Sequence, residues 1–287
     1  MRARPWSAAL GLAFAGCAAP LSEPVAREDV ALYGGEAVAP GEWPSVVAIG
    51  DFCTGVLIHP RVVAYAAHCG LDIEDLRVDA RTVEPSACRA HPRAPDQSRG
   101  PGLIITADSR IVDLAVCVLR EDAEVVPVAP LGPCEADVLT ETPSVTLVGY
   151  GGNADSPEFG VKRAVEADAE LVGHELQVSH EGVGSCSGDS GGPAFVELSD
   201  GTLRVAGILS SSPSSSCNEN VSFYTDLSQE IAWLESATDL TMSACPQDQP
   251  EGCAAGLRSG EGAGRWLGQA VVLLLAALYL RRKRASS

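Results

Sequence analysis

The chain has 287 residues, with 38 acidic against 20 basic side chains and a formal net charge of −18. Such a charge repels a phosphate backbone, so nucleic acid is disfavoured as a partner and the acidity reads as a solubility device. With 46% hydrophobic but only 5% aromatic residues, the core has to be built from Val, Leu, Ile and Ala, and ten cysteines point to disulfides in an oxidising compartment.

From the amino terminus, residues 1–16 carry Arg2 and Arg4 ahead of an apolar run, the architecture of an export signal. Residues 14–17, FAGC, resemble a bacterial lipobox with Cys17 as the lipidated residue; ordinary signal-peptidase cleavage before Cys17 is the other reading. Residues 17–31 then form a propeptide or linker. Between 32 and 242, short apolar runs alternate with turn signals: SVVAI (45–49), GVLI (55–58), VVAYAA (62–67), LAVCVL (114–119), SVTLVGYG (144–151), PAFVEL (193–198) and RVAGIL (204–209). Their length and β-branched content predict strands. One helix is predicted at DLSQEIAWL (226–234), where Asp226 and Gln229 have the spacing of a capping box and Leu227, Ile231 and Leu234 share a face. Many strands and a single late helix argue for an all-β barrel or sandwich.

Beyond that region, residues 243–264 are rich in Gly, Glu, Ser and Ala and read as a flexible linker. Residues 265–287 hold an apolar segment followed by a basic cluster at 281–284, which reads as a C-terminal membrane anchor. Cysteine, apolar segment and arginine cluster also resemble the C-terminal surface-sorting tails of myxobacteria and their relatives, with Cys253 as the processed residue. Either end would hold an exported chain at the bacterial cell envelope.

Three places within 32–242 carry chemistry. SCSGDSGGP (185–193) crowds glycines around Ser190 and leaves its hydroxyl approachable. A serine hydroxyl becomes a nucleophile only when a base takes its proton and a third group orients that base. VVAYAAHCG (62–70) puts His68 at the end of an apolar strand, where a disulfide from Cys53 to Cys69 would pin its backbone. DSRIVDLAVCVLR (108–120) puts Asp113 at the head of another. A lone histidine is more often structural, and such an aspartate more often a turn cap, so neither says much alone. Two cysteine–histidine groupings, Cys88 with His91 and His68 with Cys69, lack the second half that a zinc site needs; no metal and no cofactor is expected.

Taken in chain order, YAAHC, VDLAV and GDSGGP resemble the three signature stretches of the chymotrypsin/trypsin-like serine proteases. The order His, Asp, Ser separates that family from the subtilisin and α/β-hydrolase arrangements. LYGGEAVAPGEWPSVVAI (32–49) resembles the family's mature amino terminus, VGYG (148–151) its Gly-Trp-Gly, and VAGILS (205–210) the strand lining its substrate cleft.

The resemblance implies two six-stranded antiparallel β-barrels with a C-terminal helix, in a domain spanning 32–242. It implies a serine endopeptidase that hydrolyses polypeptides through an acyl-enzyme. Ser190 would be the nucleophile, His68 the base, Asp113 the orienting acid, and the N–H groups of Gly188 and Ser190 the oxyanion hole. Ser210 would hydrogen-bond Asp113, and a Cys186–Cys217 bridge would flank the specificity pocket. That pocket would have Gly184 at its base and Ser212 and Ser222 as walls; without an acid at 184, an uncharged P1 residue is expected. Asp189 would pair with a new amino terminus at Leu32 once an activating protease removes the propeptide, although Ala31 ahead of the cut is no trypsin-type site. Cys88, Cys117, Cys134 and Cys245 allow three pairings, one of them Cys88–Cys117 with Cys134–Cys245. Asn220-Val221-Ser222 matches a glycosylation triplet, set aside for a bacterial chain. The second reading of the same residues is a catalytically inactive protease fold that keeps a binding groove.

Overall fold

The computed structural model describes residues 32–78, 81–95, 111–140, 143–152, 160–179, 181–212, 217, 221–243 and 245. The export signal, propeptide, Cys17, Asn220, Cys253 and the anchor segment lie outside the described residues.

The strands are β1 (Glu36–Ala37), β2 (Val46–Ile49), β3 (Cys53–His59), β4 (Val62–Tyr65), β5 (Leu76–Val78), β6 (Arg81–Val83), β7 (Pro85–Ala90) and β8 (Ala115–Leu119). The second half adds β9 (Ser144–Gly149), β10 (Arg163–Val172), β11 (Glu175–Ser179), β12 (Pro193–Glu197), β13 (Leu203–Ser211) and β14 (Val221–Asp226), then the helix α1 (Ile231–Thr238). The quoted apolar runs fall on strands to within a few residues. β10 was not among them because its sequence RAVEADAELV alternates buried and solvated positions, so that acids interrupt every apolar run.

The second half is a closed six-strand barrel: β9, β10, β11, β14, β13 and β12 pair in turn, and β12 pairs back to β9. The first half is a curled antiparallel sheet in the order β6-β5-β2-β3-β4-β8-β7. The two together have the chymotrypsin-like double-barrel architecture. β1 crosses from the first half to pair with β10, and α1 returns from the second half, its Leu234 buried in the apolar cluster of the first. That cluster runs through the junction by way of Val148, Tyr150 and Phe195, with Trp43 stacked on Phe195 at 4.8 Å. Of the two crossings, β1 is exposed, whereas α1 buries Ile231, Leu234 and Ala237.

The helix begins differently from the sequence expectation. Asp226 caps a 3-10 turn over Leu227–Gln229, accepting from the Ser228 N–H at 2.9 Å. Gln229 does not reach back to the Asp226 backbone; its Nε2 donates to the carboxylate at 2.7 Å, because an ionised acceptor makes the stronger bond. α1 starts only at Ile231 and ends where Asp239 turns left-handed.

Among the described residues there are four disulfides. Cys53–Cys69 and Cys186–Cys217 bracket the loops of the cleft; Cys88–Cys117 joins directly paired residues of β7 and β8; Cys134–Cys245 closes a separation of 111 residues. Among the described residues no helix is long and apolar enough to cross a membrane.

Candidate active site

His68 sits just past β4, in a 3-10 turn over Ala67–Cys69 whose last residue is tied to β3 by the Cys53–Cys69 bridge. Asp113 precedes β8, and the main chain there is fixed by bonds from Leu114 N–H to Val112 and from His91 N–H to Leu114. The two residues meet in a buried pocket. The Asp113 carboxylate accepts from the His68 backbone N–H at 2.9 Å and lies 2.6 Å from Nδ1. Ser210, on β13 of the other half, donates to the same carboxylate at 2.9 Å. A carboxylate against Nδ1 keeps the proton of a neutral ring on that nitrogen and leaves Nε2 to accept one.

Ser190 lies across the cleft on the loop that follows the Cys186–Cys217 bridge. Its carbonyl accepts from Thr54 N–H at 2.8 Å, and the Thr54 hydroxyl donates to the Gly188 carbonyl at 2.8 Å while accepting from Tyr150 N–H at 3.1 Å. With both carbonyls turned inward, the N–H groups of Gly188 and Ser190 have no backbone acceptor among the described residues. Gly191 allows this close approach: its φ is +83°, and a Cβ there would lie 2.3 Å from the Thr54 carbonyl oxygen. The Ser190 hydroxyl makes no hydrogen bond to His68, although the Ser190 carbonyl oxygen lies 3.8 Å from Cys69 Sγ.

Behind the loop, the Asp189 carboxylate is buried. It accepts from Gly151 N–H at 2.9 Å, from Cys186 N–H at 2.8 Å and from the backbone of Leu32. Leu32 is buried, and its neighbour Tyr33 pairs with Gly184. Burial pushes the Asp189 carboxyl up to about 6; the three N–H donors and the Arg163 guanidinium oppose that shift without cancelling it.

Gly184, the expected pocket base, is occupied on its main-chain side by Tyr33. Above it the Ser185 hydroxyl lies 2.5 Å from that of Ser212 and 2.8 Å from that of Ser222. Ser212 and Ser222 thus come together, joined by a residue the sequence reading did not name. Cys53, His68 and Cys69 also bring ligand-type atoms within 4.8 Å of one another, but the disulfide occupies both sulfurs, so no thiolate is left for a metal.

A family model described as Trypsin matches residues 32–234. The chain belongs to the trypsin family. Among its curated relatives, Serine proteinase stubble of Drosophila melanogaster is 26% identical over 225 residues, 65% of this chain and 28% of the relative. Coagulation factor XII of Cavia porcellus is 25% identical over 247 residues, covering 72% of this chain and 40% of the relative. The chain therefore spans well under half the length of these two. Brachyurin of Leptuca pugilator is 28% identical over 235 residues, 73% of this chain and the whole of the relative.

Within this trypsin-family chain, three site residues escaped the sequence reading: Thr54, Ser185 and Arg163. Thr54 carries a faint signal as a polar residue between Cys53 and an apolar run. Arg163 gives none, because a basic residue heading a strand is ordinary. The raised pKa of Asp189 has a definite sign. A buried acid whose folded value is about 6 against an ordinary 3.8 contributes its full stability below pH 4 and loses it as pH rises through 6. Relative to Asp189→Asn, the parent protein should therefore weaken by roughly 2 kcal/mol between pH 4 and pH 7. Urea unfolding of both proteins at the two pH values measures it; a flat or opposite difference refutes the assignment.

Proposed function

We propose that this chain is an exported serine endopeptidase that works through an acyl-enzyme. The observation that carries the reading is the buried contact of 2.6 Å between His68 Nδ1 and Asp113, facing a glycine-rich loop that presents Ser190. In this mechanism His68 Nε2 takes the Ser190 hydroxyl proton as Oγ attacks the scissile carbonyl. Asp113 holds the ring's tautomer and stabilises the imidazolium that forms. The developing oxyanion is received by the N–H groups of Gly188 and Ser190; losing one such donor costs on the order of 100–1000-fold in rate. His68 then gives its proton to the leaving amine, and water releases the acyl group by the same steps reversed.

A fluorophosphonate probe should label Ser190, with labelling abolished in Ser190→Ala and slowed about 10⁴-fold in Asp113→Asn. Failure of the folded, activated parent to label at all would leave a groove-binding protein as the reading.

Specificity follows from the pocket. The hydroxyls of Ser185, Ser212 and Ser222 converge there, and no carboxylate stands at Gly184. A buried P1 guanidinium would be uncompensated, whereas a small side chain fits beside the hydroxyls. In a peptide library, small uncharged P1 residues should exceed Arg and Lys by at least about 100-fold in kcat/KM; an Arg or Lys preference refutes the pocket argument.

The domain limits at 32 and 242, the export signal over 1–16 and the envelope tether at Cys17 or within 265–287 rest on sequence pattern, and the disulfides fit an oxidising compartment. Intact-mass analysis and amino-terminal sequencing of protein from its own membrane fraction should find a mature start at or after Cys17. Recovery of the unprocessed chain from the cytosol would overturn it.

A further inference from the structure

Arg163 is buried, with 6% of its surface exposed, and its Nε has no hydrogen-bond partner. Its Nη1 reaches only the Val161 carbonyl, at 3.4 Å. Among the described residues no carboxylate lies within ion-pair distance of it. A guanidinium in such a place is costly unless a charge compensates it. The sheet register shows where that charge is. Arg163 opens β10 directly opposite Gly149 of β9, and directly opposed residues of an antiparallel pair project from the same face. Gly149 faces Asp189: a Cβ there would lie 2.1 Å from Oδ1. The Arg163 side chain therefore leaves the sheet on the face that carries the Asp189 carboxylate, beside the space that the missing side chain of Gly149 leaves open. Arg163 is also the cation that acts electrostatically on Asp189. The other titratable group facing that carboxylate is the buried Tyr224 phenol, held neutral by burial and by the Asp189 charge.

The Leu32 nitrogen that reaches Asp189 is a peptide nitrogen, since Leu32 is joined to Ala31. It supplies a dipole and no positive charge. We propose that Arg163 is the charge partner of Asp189 in the uncleaved chain, a positioning residue that holds the loop from Cys186 to Gly191 in working shape without a new amino terminus at Leu32. This inference rests on the serine endopeptidase reading above, because it acts through the N–H groups of Gly188 and Ser190.

The test uses the full chain with its Ala31–Leu32 bond intact, as verified by mass. The uncleaved parent should label with a fluorophosphonate at Ser190 and turn over a small-P1 peptide substrate. Arg163→Gln should lower kcat about 100-fold with KM within about threefold, since substrate contacts are untouched. Arg163→Lys, which keeps the charge, should recover most of the loss, and a role in packing alone would give no such recovery. Labelling that appears only after cleavage at Leu32 overturns the proposal and leaves the endopeptidase reading standing, and this outcome needs no variant to fold. Equal kcat in folded Arg163→Gln overturns it as well. No labelling of the parent in either cleaved or uncleaved form instead sinks the endopeptidase reading itself.

Discussion

Of the aspartates buried almost completely among the described residues, Asp113 and Asp189 lie at the cleft, and the cleft is organised around keeping both charges satisfied. Asp113 collects the backbone N–H and ring nitrogen of His68 from one half of the fold and the hydroxyl of Ser210 from the other. Such a carboxylate is costly to bury unless every donor arrives together. The donors come from a 3-10 turn and a strand far apart in the chain, so satisfying Asp113 docks the two halves in one orientation. That orientation brings the loop of Ser190 opposite the imidazole.

Asp189 solves the same problem differently. Its donors are three backbone N–H groups, and its charge stays less well compensated, as its raised pKa records. A carboxylate held by main-chain dipoles governs main-chain shape: the Cys186 N–H closes the loop onto this oxygen pair, and the N–H groups of Gly151 and Leu32 tie it to two neighbouring segments. Thr54 finishes the job from the opposite side by drawing in the carbonyls of Gly188 and Ser190. At Gly188 and Ser190 the carbonyls are thus turned toward Thr54, while their N–H groups have no backbone acceptor among the described residues. In the proposed mechanism, charge that develops on a substrate oxygen would draw on that arrangement.

The disulfides act on the same parts. Cys53–Cys69 restrains the turn that carries His68, and Cys186–Cys217 restrains the base of the Ser190 loop. Cys134–Cys245 closes the longest separation of the four, 111 residues, and a cross-link over that length constrains the unfolded chain most. With few aromatic residues in the core, cross-links of this kind supplement packing where two halves meet over a solvated cleft.

Motif order and strand periodicity were readable along the chain because each depends on neighbours within about ten residues. Short apolar runs therefore announced an all-β fold, and the resemblance of YAAHC, VDLAV and GDSGGP to the protease signatures named the residues to inspect, from His68 to Ser190. The acid-rich β10 and the true start of α1 were hidden, since alternate solvated positions and a 3-10 turn leave weak local patterns. Which carboxylate faces which cation lay beyond local pattern altogether. Arg163 and Asp189 are brought to one face by strand register across β9 and β10, Ser185 meets Ser212 and Ser222 through barrel closure, and Thr54 bridges two peptide groups more than a hundred residues away. Such contacts are set by the packing of distant strands, which satisfies buried charge and peptide dipoles jointly, and no single stretch of chain encodes them.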